Sequence, residues 1–352
     1  MTLQSQLIKQ IALNGPMSVA DYMTECLLHP KFGYYATRDP FGAQGDFITA
    51  PEISQMFGEL IGLCLAQSWL DQGAPEAFTL AELGPGRGTL MADILRATRA
   101  VKGFHAAAKI HLVEASTLLR KKQKAALDGY KVHWHDTVET LPNAPLYLVA
   151  NEFFDALPIR QYVRQGKDWC ERRVGAEAGQ LQFGLTEPTA QPALEHRLSD
   201  TRDGDLVELC PLGASVAQTL GRKIQQAGGV ALIIDYGDWR SLGDTLQALR
   251  NHSFVDPLES PGSSDLTTHV DFEALALAAE CAHTRLTAQG TFLERLGIAA
   301  RAQTLAANLN GDALKTHLDA YRRLTDATEM GTLFKVIALY PTEATPPAGF
   351  EP

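Results

Sequence analysis

The sequence is poor in the features that mark secreted, zinc-binding and membrane-spanning proteins. Its five cysteines are widely spaced and never form a C-x-x-C pair, which argues against a disulfide framework and against a zinc knuckle. No apolar run has the length that spans a bilayer, and residues 1–14 lack the basic segment and apolar core of a secretory signal. We therefore expect a cytoplasmic protein with reduced thiols and no membrane insertion.

Basic residues are outnumbered by acidic ones. The chain of 352 residues carries 31 Lys and Arg against 41 Asp and Glu, a formal net charge of -10 at pH 7. Sequence-independent binding to a nucleic-acid phosphate backbone needs a basic protein surface, so we expect no nucleic-acid partner. With 45% hydrophobic and 20% charged residues, the composition is that of a globular chain large enough for a sizeable core.

From residue 78 onward, strand-like and helix-like segments alternate. Such a βαβα rhythm predicts a Rossmann-like, mostly parallel sheet with helices on both faces. The predicted segments are strand Phe78–Leu83, helix 89–100, strand Lys109–Val113, helix 116–127, strands Val132–His135 and Leu146–Ala150, helix 213–227, strand Val230–Ile234, helix Phe272–Cys281 and strand Leu333–Leu339.

Other segments fall outside this alternation. Residues 159–205 alternate polar and apolar side chains between glycines, a pattern typical of small antiparallel strands. A helix is expected over 51–71, and two helices between about residues 291 and 325. The predicted organisation is an N-terminal helical and loop extension that covers the site (1–52), the core (53–158 and 206–340), a small β insertion (159–205) and a frayed tail (341–352).

A glycine-rich turn follows the first strand of the alternation. Gly84, Gly86 and Gly88 form G-x-G-x-G, whereas a dinucleotide-binding fingerprint would need its third glycine at position 89, which is Thr89. The negative charge of Glu82, two residues before Gly84, would repel a pyrophosphate but could bind the α-ammonium of an amino acid. The pattern therefore favours S-adenosylmethionine as the cofactor, and an ordinary glycine-rich turn is the alternative for the motif taken alone.

Two further acids follow the next strands. Glu114 lies 30 residues after Gly84, at the end of the second strand, where a carboxylate can accept both ribose hydroxyls of a nucleoside. Asp136 follows the third strand and is placed to accept from the adenine amino group. For either acid alone, a solvated strand end is the alternative interpretation.

The end of the fourth strand supplies the candidate catalytic groups. Asn151, Glu152 and Asp155 follow this strand, where ligands lie in open α/β sheets. The alternative is a helix N-terminus capped by Asn151, with the acids favoured by the helix dipole.

Six motifs together resemble the MidA family of class I methyltransferases. The resemblance spans nearly the whole chain and rests on Gly45–Gln55, Glu82–Leu90, Asn151–Pro158, Asp235–Gly237, Asp265–Phe272 and Met330–Lys335. It implies the class I fold, the S-adenosylmethionine cofactor and a protein arginine as the acceptor. Since the mitochondrial member of the family symmetrically dimethylates an arginine of a respiratory complex I subunit during assembly, it also implies a protein partner of that kind. No mitochondrial targeting segment precedes Met1, so the chain is expected to be a bacterial, cytoplasmic member.

The resemblance also directs attention to the substrate side. We expect the segment Gly45–Gln55 to pack over the donor and shape the substrate entrance, with Asp46 and Gln55 as candidate contacts, and a purely structural loop is the alternative. Tyr236 could line the substrate side, with an ordinary turn as the alternative. His269 could be a general base, with a hydrogen-bonded structural residue as the alternative. Glu152 and Asp155 are the candidates for holding a guanidinium, because carboxylates bind it through two charge-assisted hydrogen bonds. No metal is required. Methylation of a small oxygen or nitrogen nucleophile, and a non-catalytic assembly factor with the same fold, are the competing functions.

Overall fold

The computed structural model describes residues 2–37, 49–250 and 253–351. The helices are α1 (Leu3–Asn14), α2 (Val19–Leu28), α3 (Tyr34–Thr37), α4 (Ala50–Ile53), α5 (Gln55–Asp71), α6 (Thr89–Ala97), α7 (Phe104–Ala107), α8 (Thr117–Ala126), α9 (Pro211–Ala227), α10 (Phe272–Ala278), α11 (Gln289–Arg295), α12 (Ile298–Ala306), α13 (Gly311–Thr325) and α14 (Met330–Leu333). The strands are β1 (Met17–Ser18), β2 (Phe78–Leu83), β3 (Ala108–Val113), β4 (Val132–His135), β5 (Leu146–Asn151), β6 (Arg160–Gln165), β7 (Asp168–Glu177), β8 (Gln180–Leu185), β9 (Leu206–Leu209), β10 (Gly229–Asp238), β11 (Gln247–Arg250), β12 (Ser253–Val255), β13 (Asp265–Thr267), β14 (Val270–Asp271), β15 (Ala282–His283), β16 (Thr287–Ala288) and β17 (Phe334–Tyr340).

The central sheet has the order β4-β3-β2-β5-β10-β17-β15. The five strands from β4 to β10 are mutually parallel, and β17 runs antiparallel beside β10. This confirms the predicted mostly parallel sheet. Because the carboxyl ends of parallel strands meet at one edge, the segments that follow β2, β3, β5 and β10 are brought together.

Helices cover both faces of the central sheet, as predicted. Successive strand residues point to opposite faces: in β10, Leu232 packs with α5 and α6, while Ile233 packs with α9 and α10. All six residues of β2 are buried. The continuous apolar run Val230–Ile234 of β10 therefore reflects burial from two sides.

Two smaller sheets lie beside the core. Strands β6, β7 and β8 are successive antiparallel neighbours, with β1 and β9 completing their five-stranded sheet. Helices α1 and α2 pack onto this sheet through a separate apolar cluster. Strands β11, β12 and β13 form the third sheet.

Three local predictions were wrong. The expected helix over 51–71 is broken at Ser54, whose extended backbone and hydroxyl begin α5. Three helices, not two, lie between residues 289 and 325, since Gly297 adopts a positive φ between α11 and α12. The C-terminal tail is not frayed over its described residues, because the Phe350 ring packs 4.9 Å from that of Phe292. None of the described helices is both long enough and apolar enough to cross a membrane.

Gly221 allows α9 to approach the end of α10 closely. A methyl group added there would lie 1.7 Å from the carbonyl oxygen of Ala279. We expect Gly221→Ala to lower the free energy of unfolding by about 1–3 kcal/mol, because the helices must move apart. Gly184→Ala is the control, since nothing lies within 4 Å of the added methyl group, and a change within about 0.5 kcal/mol is expected. Urea denaturation measures both, and equal midpoints would contradict this packing.

A candidate active site at the carboxyl edge of the central sheet

A cleft of about 380 Å³, open to solvent, lies at the carboxyl edge of the sheet. It brings together several of the sequence-predicted residues from β2, the glycine turn and the end of β5. The lining residues are Thr49, Pro51, Glu52, Glu82, Gly84, Pro85, Gly86, Arg87, Thr89, Leu90, Asn151 and Glu152. The N-terminal segment therefore contributes to the same cleft as the glycine turn.

The glycine turn has a backbone that other residues rarely adopt. Gly84, Gly86 and Gly88 have φ angles of 59°, 51° and 87°, in the left-handed region that favours glycine. A side chain at Gly84 would also meet Phe153, whose Cδ2 lies 3.0 Å from the position of the added methyl group. Gly88 is the N-cap of α6. At Gly84 and Gly86, the turn thus presents backbone without a side chain to the cleft.

Glu82 lies in the floor of the cleft. Its side chain is buried, and Oε2 has no hydrogen-bond partner among the described residues. Burial raises its pKa to about 8, with the Met91 amide opposing and the charge of Glu114 adding to the rise. A buried carboxylate oxygen without a partner is costly, and a ligand ammonium would satisfy it.

Glu114 is held by the segment that follows its strand. Its Oε1 accepts from the Ser116 amide (2.7 Å) and its Oε2 from Gln123 Nε2 (3.1 Å). Burial is the largest cause of its raised pKa. Gln123 links Glu114 to the glycine turn, because its side-chain amide also donates to the carbonyl oxygen of Gly86 (2.9 Å).

Gln123 and Arg120 were absent from the predicted site residues. Gln123 is fully buried and also accepts from Trp134 Nε1 (2.9 Å). Arg120 donates to the carbonyl oxygens of Glu114 and His135. The spacing of three residues between Arg120 and Gln123 places both on the inner face of α8 and could have revealed them.

Asp136 lies at the outer margin of this region. Its side chain is 84% exposed and pairs with Arg120 at 2.5 Å. Neither Asp136 nor Glu114 lines the cleft itself, so the adenine and ribose contacts of these two acids stay predictions.

The turn after β5 presents Glu152 to the cleft. Glu152 has a positive φ of 52°, an unusual backbone for a residue other than glycine. Its Oε1 accepts from the Ala50 amide (3.1 Å) and from Asn151 Nδ2 (3.0 Å). Burial and the charge of Asp155 raise its pKa to about 7. Residues 152–158 form turns, so the alternative in which Asn151 caps a helix is wrong.

Asp155 and Tyr236 are buried behind this turn. The Oδ1 atom of Asp155 and the hydroxyl of Tyr236 lack hydrogen-bond partners among the described residues. Burial raises the pKa of Asp155, and the neighbouring hydroxyl of Tyr236 counteracts this rise. The backbone of Asp155 is fixed by Thr268, whose amide donates to its carbonyl oxygen (2.9 Å).

Asp235, at the end of β10, was absent from the predicted site residues. It is fully buried, and its Oδ2 accepts from the amides of Phe153 (3.2 Å), Phe154 (3.0 Å) and Asp155 (3.2 Å). The motif Asp235–Gly237 was the available signal, although it did not show which backbone groups the carboxylate would bind.

The remaining candidates lie elsewhere. His269 lines a second depression, open to solvent, together with Phe154, and its ring lies edge-on to that of Tyr236 with 5.4 Å between the ring centroids. Gln55 is exposed at the start of α5 and does not line the cleft. Asp46 lies outside the described residues. The described part of the chain has no cluster of His, Cys, Asp and Glu suited to a metal ion.

The residues of the cleft fit S-adenosylmethionine. The unpartnered oxygen of Glu82 can receive its α-ammonium, and the glycine turn leaves room for its main body. Thr89 Oγ1 donates to Glu52 Oε1 (2.6 Å). This bond and the one from Ala50 to Glu152 tie the N-terminal segment to both sides of the cleft.

Comparison with known proteins gives the same assignment. Residues 60–291 match the family described as "Putative S-adenosyl-L-methionine-dependent methyltransferase". The chain is 35% identical to the Drosophila melanogaster "Protein arginine methyltransferase NDUFAF7 homolog, mitochondrial", over 97% of this chain and 85% of that protein. It is also 35% identical to the Homo sapiens "Protein arginine methyltransferase NDUFAF7, mitochondrial", over 95% and 82% of the two chains.

A crystal structure of a Burkholderia thailandensis protein bound to S-adenosyl-homocysteine is similar throughout. Its TM-score is 0.83 at 29% identity, and the match covers 99% of this chain and 93% of that one. The predicted class I fold is thereby confirmed. The chain belongs to the S-adenosylmethionine-dependent methyltransferase family that its motifs predicted, the MidA family, with the NDUFAF7 proteins among its relatives.

Proposed function

We propose that this enzyme methylates an arginine side chain of a protein. The observation that carries the proposal is the pair of acids on the turn after β5, where Glu152 lines the cleft and Asp155 lies buried beside Tyr236. A guanidinium is cationic and planar, and carboxylates bind it with directed hydrogen bonds. Named relatives that are protein arginine methyltransferases support the same acceptor.

S-adenosylmethionine, when bound, supplies an electrophilic methyl group on its sulfonium. Glu82 would bind the α-ammonium of the cofactor, and the glycine turn would position the remainder. Glu152 would orient one guanidinium nitrogen at the cleft, with Asp155 buried behind it, and such positioning lowers the barrier of a bimolecular reaction. As the nitrogen gains the methyl group it loses one proton. Glu152 Oε2 is the atom that we assign to receive it, because a pKa near 7 suits a base at neutral pH.

The target and compartment are part of the proposal. The family resemblance makes a respiratory complex I subunit the first target to test. We place the reaction in the cytoplasm, as the sequence predicts, although the relatives carry mitochondrial names. Asp46, Gln55 and His269 are retained as substrate-side candidates.

The decisive experiment identifies the methylated residue. The purified enzyme is incubated with methyl-labelled S-adenosylmethionine and lysate from a strain that lacks its gene, and labelled proteins are analysed by mass spectrometry. We expect label on arginine of one or a few proteins. Label confined to small molecules or to other side chains would refute the proposal.

The raised pKa of Glu82 predicts pH-dependent cofactor binding. Only the ionised carboxylate pairs with an ammonium, so a group with a pKa of about 8 must lose a proton on binding at neutral pH. We expect affinity for S-adenosylhomocysteine to rise at least about fivefold from pH 6 to pH 7.5, with proton release in calorimetry. Glu82→Gln should bind more weakly and without this pH dependence, whereas Glu152→Gln should keep it. A pH-independent wild type would exclude Glu82 as the ammonium partner.

The predicted contact between Glu114 and ribose is tested with S-adenosylmethionine and S-adenosylhomocysteine, which carry the same ribose. We expect Glu114→Gln, which keeps its shape but loses accepting capacity, to weaken binding of both by about tenfold, or about 1.4 kcal/mol. Calorimetry with both ligands measures this. Glu139→Gln, at an exposed position, is the control and should bind normally. Unchanged affinity of the Glu114 variant for both ligands would show that the ribose lies elsewhere.

Neutralising the acceptor acids should separate transfer from cofactor binding. We expect Glu152→Gln and Asp155→Asn to reduce methyl transfer by about hundredfold or more, because charge and proton acceptance are lost. Affinity for S-adenosylhomocysteine should stay within about threefold. The exposed control Glu76→Gln should act as wild type. If both variants transfer at the wild-type rate, these carboxylates are not part of the mechanism.

A further inference from the structure

Asp235 forms hydrogen bonds with the backbone of the turn after β5, which carries Glu152 and Asp155. Its Oδ2 accepts from three consecutive amides at 3.0 to 3.2 Å, and its Oδ1 accepts from the Tyr236 amide at 3.0 Å. The preceding amide, that of Glu152, donates to the carbonyl oxygen of Ile234 at 2.9 Å. Sheet pairing thus ends at Glu152, and the next three amides depend on this one carboxylate.

The amides alone do not explain a charged residue at this position. An asparagine carbonyl could accept from the same amides, whereas a fully buried carboxylate has lost its hydration. Burial and the charges of Asp155 and Glu152 raise the pKa of Asp235, and the amides oppose this rise. The ion pairs of the described residues include none of these three carboxylates. Groups of buried acids with raised pKa values are typical of functional sites.

The contacts of Asp235 determine where the neighbouring acids point. Glu152 keeps its positive φ because the amides that follow it are held and cannot relax into a more common backbone. On the far side of the turn, the Thr268 amide holds the carbonyl oxygen of Asp155. The carboxylate of Glu152 therefore stays at the cleft.

We propose that Asp235 is a positioning residue of the methyl transfer, which holds Glu152 and Asp155 in place and completes a group of three acids that favours a cationic acceptor. The proposal rests on the arginine methylation proposed above. Asp235 itself touches neither substrate nor cofactor and acts through the turn.

The charge of Asp235 gives the proposal a measurable signature. Acids in contact raise each other's pKa and titrate as one coupled group, so removing Asp235 should lower the apparent pKa with which Glu152 and Asp155 titrate. Because transfer needs these acids ionised, activity is lost as pH falls through their pKa values. Among the described residues, the other ionisable groups that act on these two acids include Tyr35, Tyr236 and Arg323, and these stay unchanged in the variant.

The experiment compares Asp235→Asn with Glu208→Gln. Glu208 is also a buried carboxylate that accepts a backbone amide, that of Thr245 at 3.0 Å. Transfer is measured with methyl-labelled S-adenosylmethionine and the gene-deletion lysate between pH 5.5 and 9. For Asp235→Asn we expect kcat to fall at least about tenfold, the acidic midpoint to move at least about half a pH unit lower, and S-adenosylhomocysteine affinity to stay within about threefold. The control should keep both kcat and midpoint.

Each other outcome contradicts the inference. A wild-type midpoint with reduced kcat would mean that Asp235 has a purely structural role, and wild-type values for both would mean that it has none in transfer. If Asp235→Asn does not fold, Asp235→Ser is tested in the same way, and failure of both to fold would make the residue structural. Absence of labelled arginine with the wild-type enzyme refutes the proposed function instead, so the two failures are distinguished.

Discussion

The parallel pairing of β2, β3, β5 and β10 is the constraint on which the site depends. Parallel strands end at the same edge, so the segments that follow them are forced together even though they are far apart in the chain. The glycine turn, Glu114, the turn with Glu152 and the carboxylate of Asp235 are these segments. The site thus follows from sheet topology, and its chemistry from the residue types at four strand ends.

Carboxyl groups are concentrated at this edge, although acids usually prefer a solvated position. Glu82, Asp155 and Asp235 are buried, and burial raises the pKa of each. Folding therefore creates carboxyl groups that gain most when a cation arrives. Both the sulfonium cofactor and a guanidinium acceptor are cationic, which gives a common physical reason for the arrangement.

The N-terminal segment joins the core at the same place. The amide of Ala50 and the carboxylate of Glu52 reach the two sides of the cleft, while α1 and α2 pack on the smaller sheet. Since the matched family region starts at residue 60, these contacts come from outside the matched core.

The sequence by itself determined the features that depend on neighbouring residues. Strands Phe78–Leu83 and Val132–His135 were predicted to the residue, because strand-forming residues bounded by turns are local signals. The glycine spacing likewise indicated the cofactor turn. Only the tertiary structure decided which distant groups meet: Asp235 with amides 80 to 82 residues away, Gln123 with Gly86, and Phe350 with Phe292. Such contacts depend on the register of strands and helices that are remote in the chain, so no periodicity within one segment can specify them.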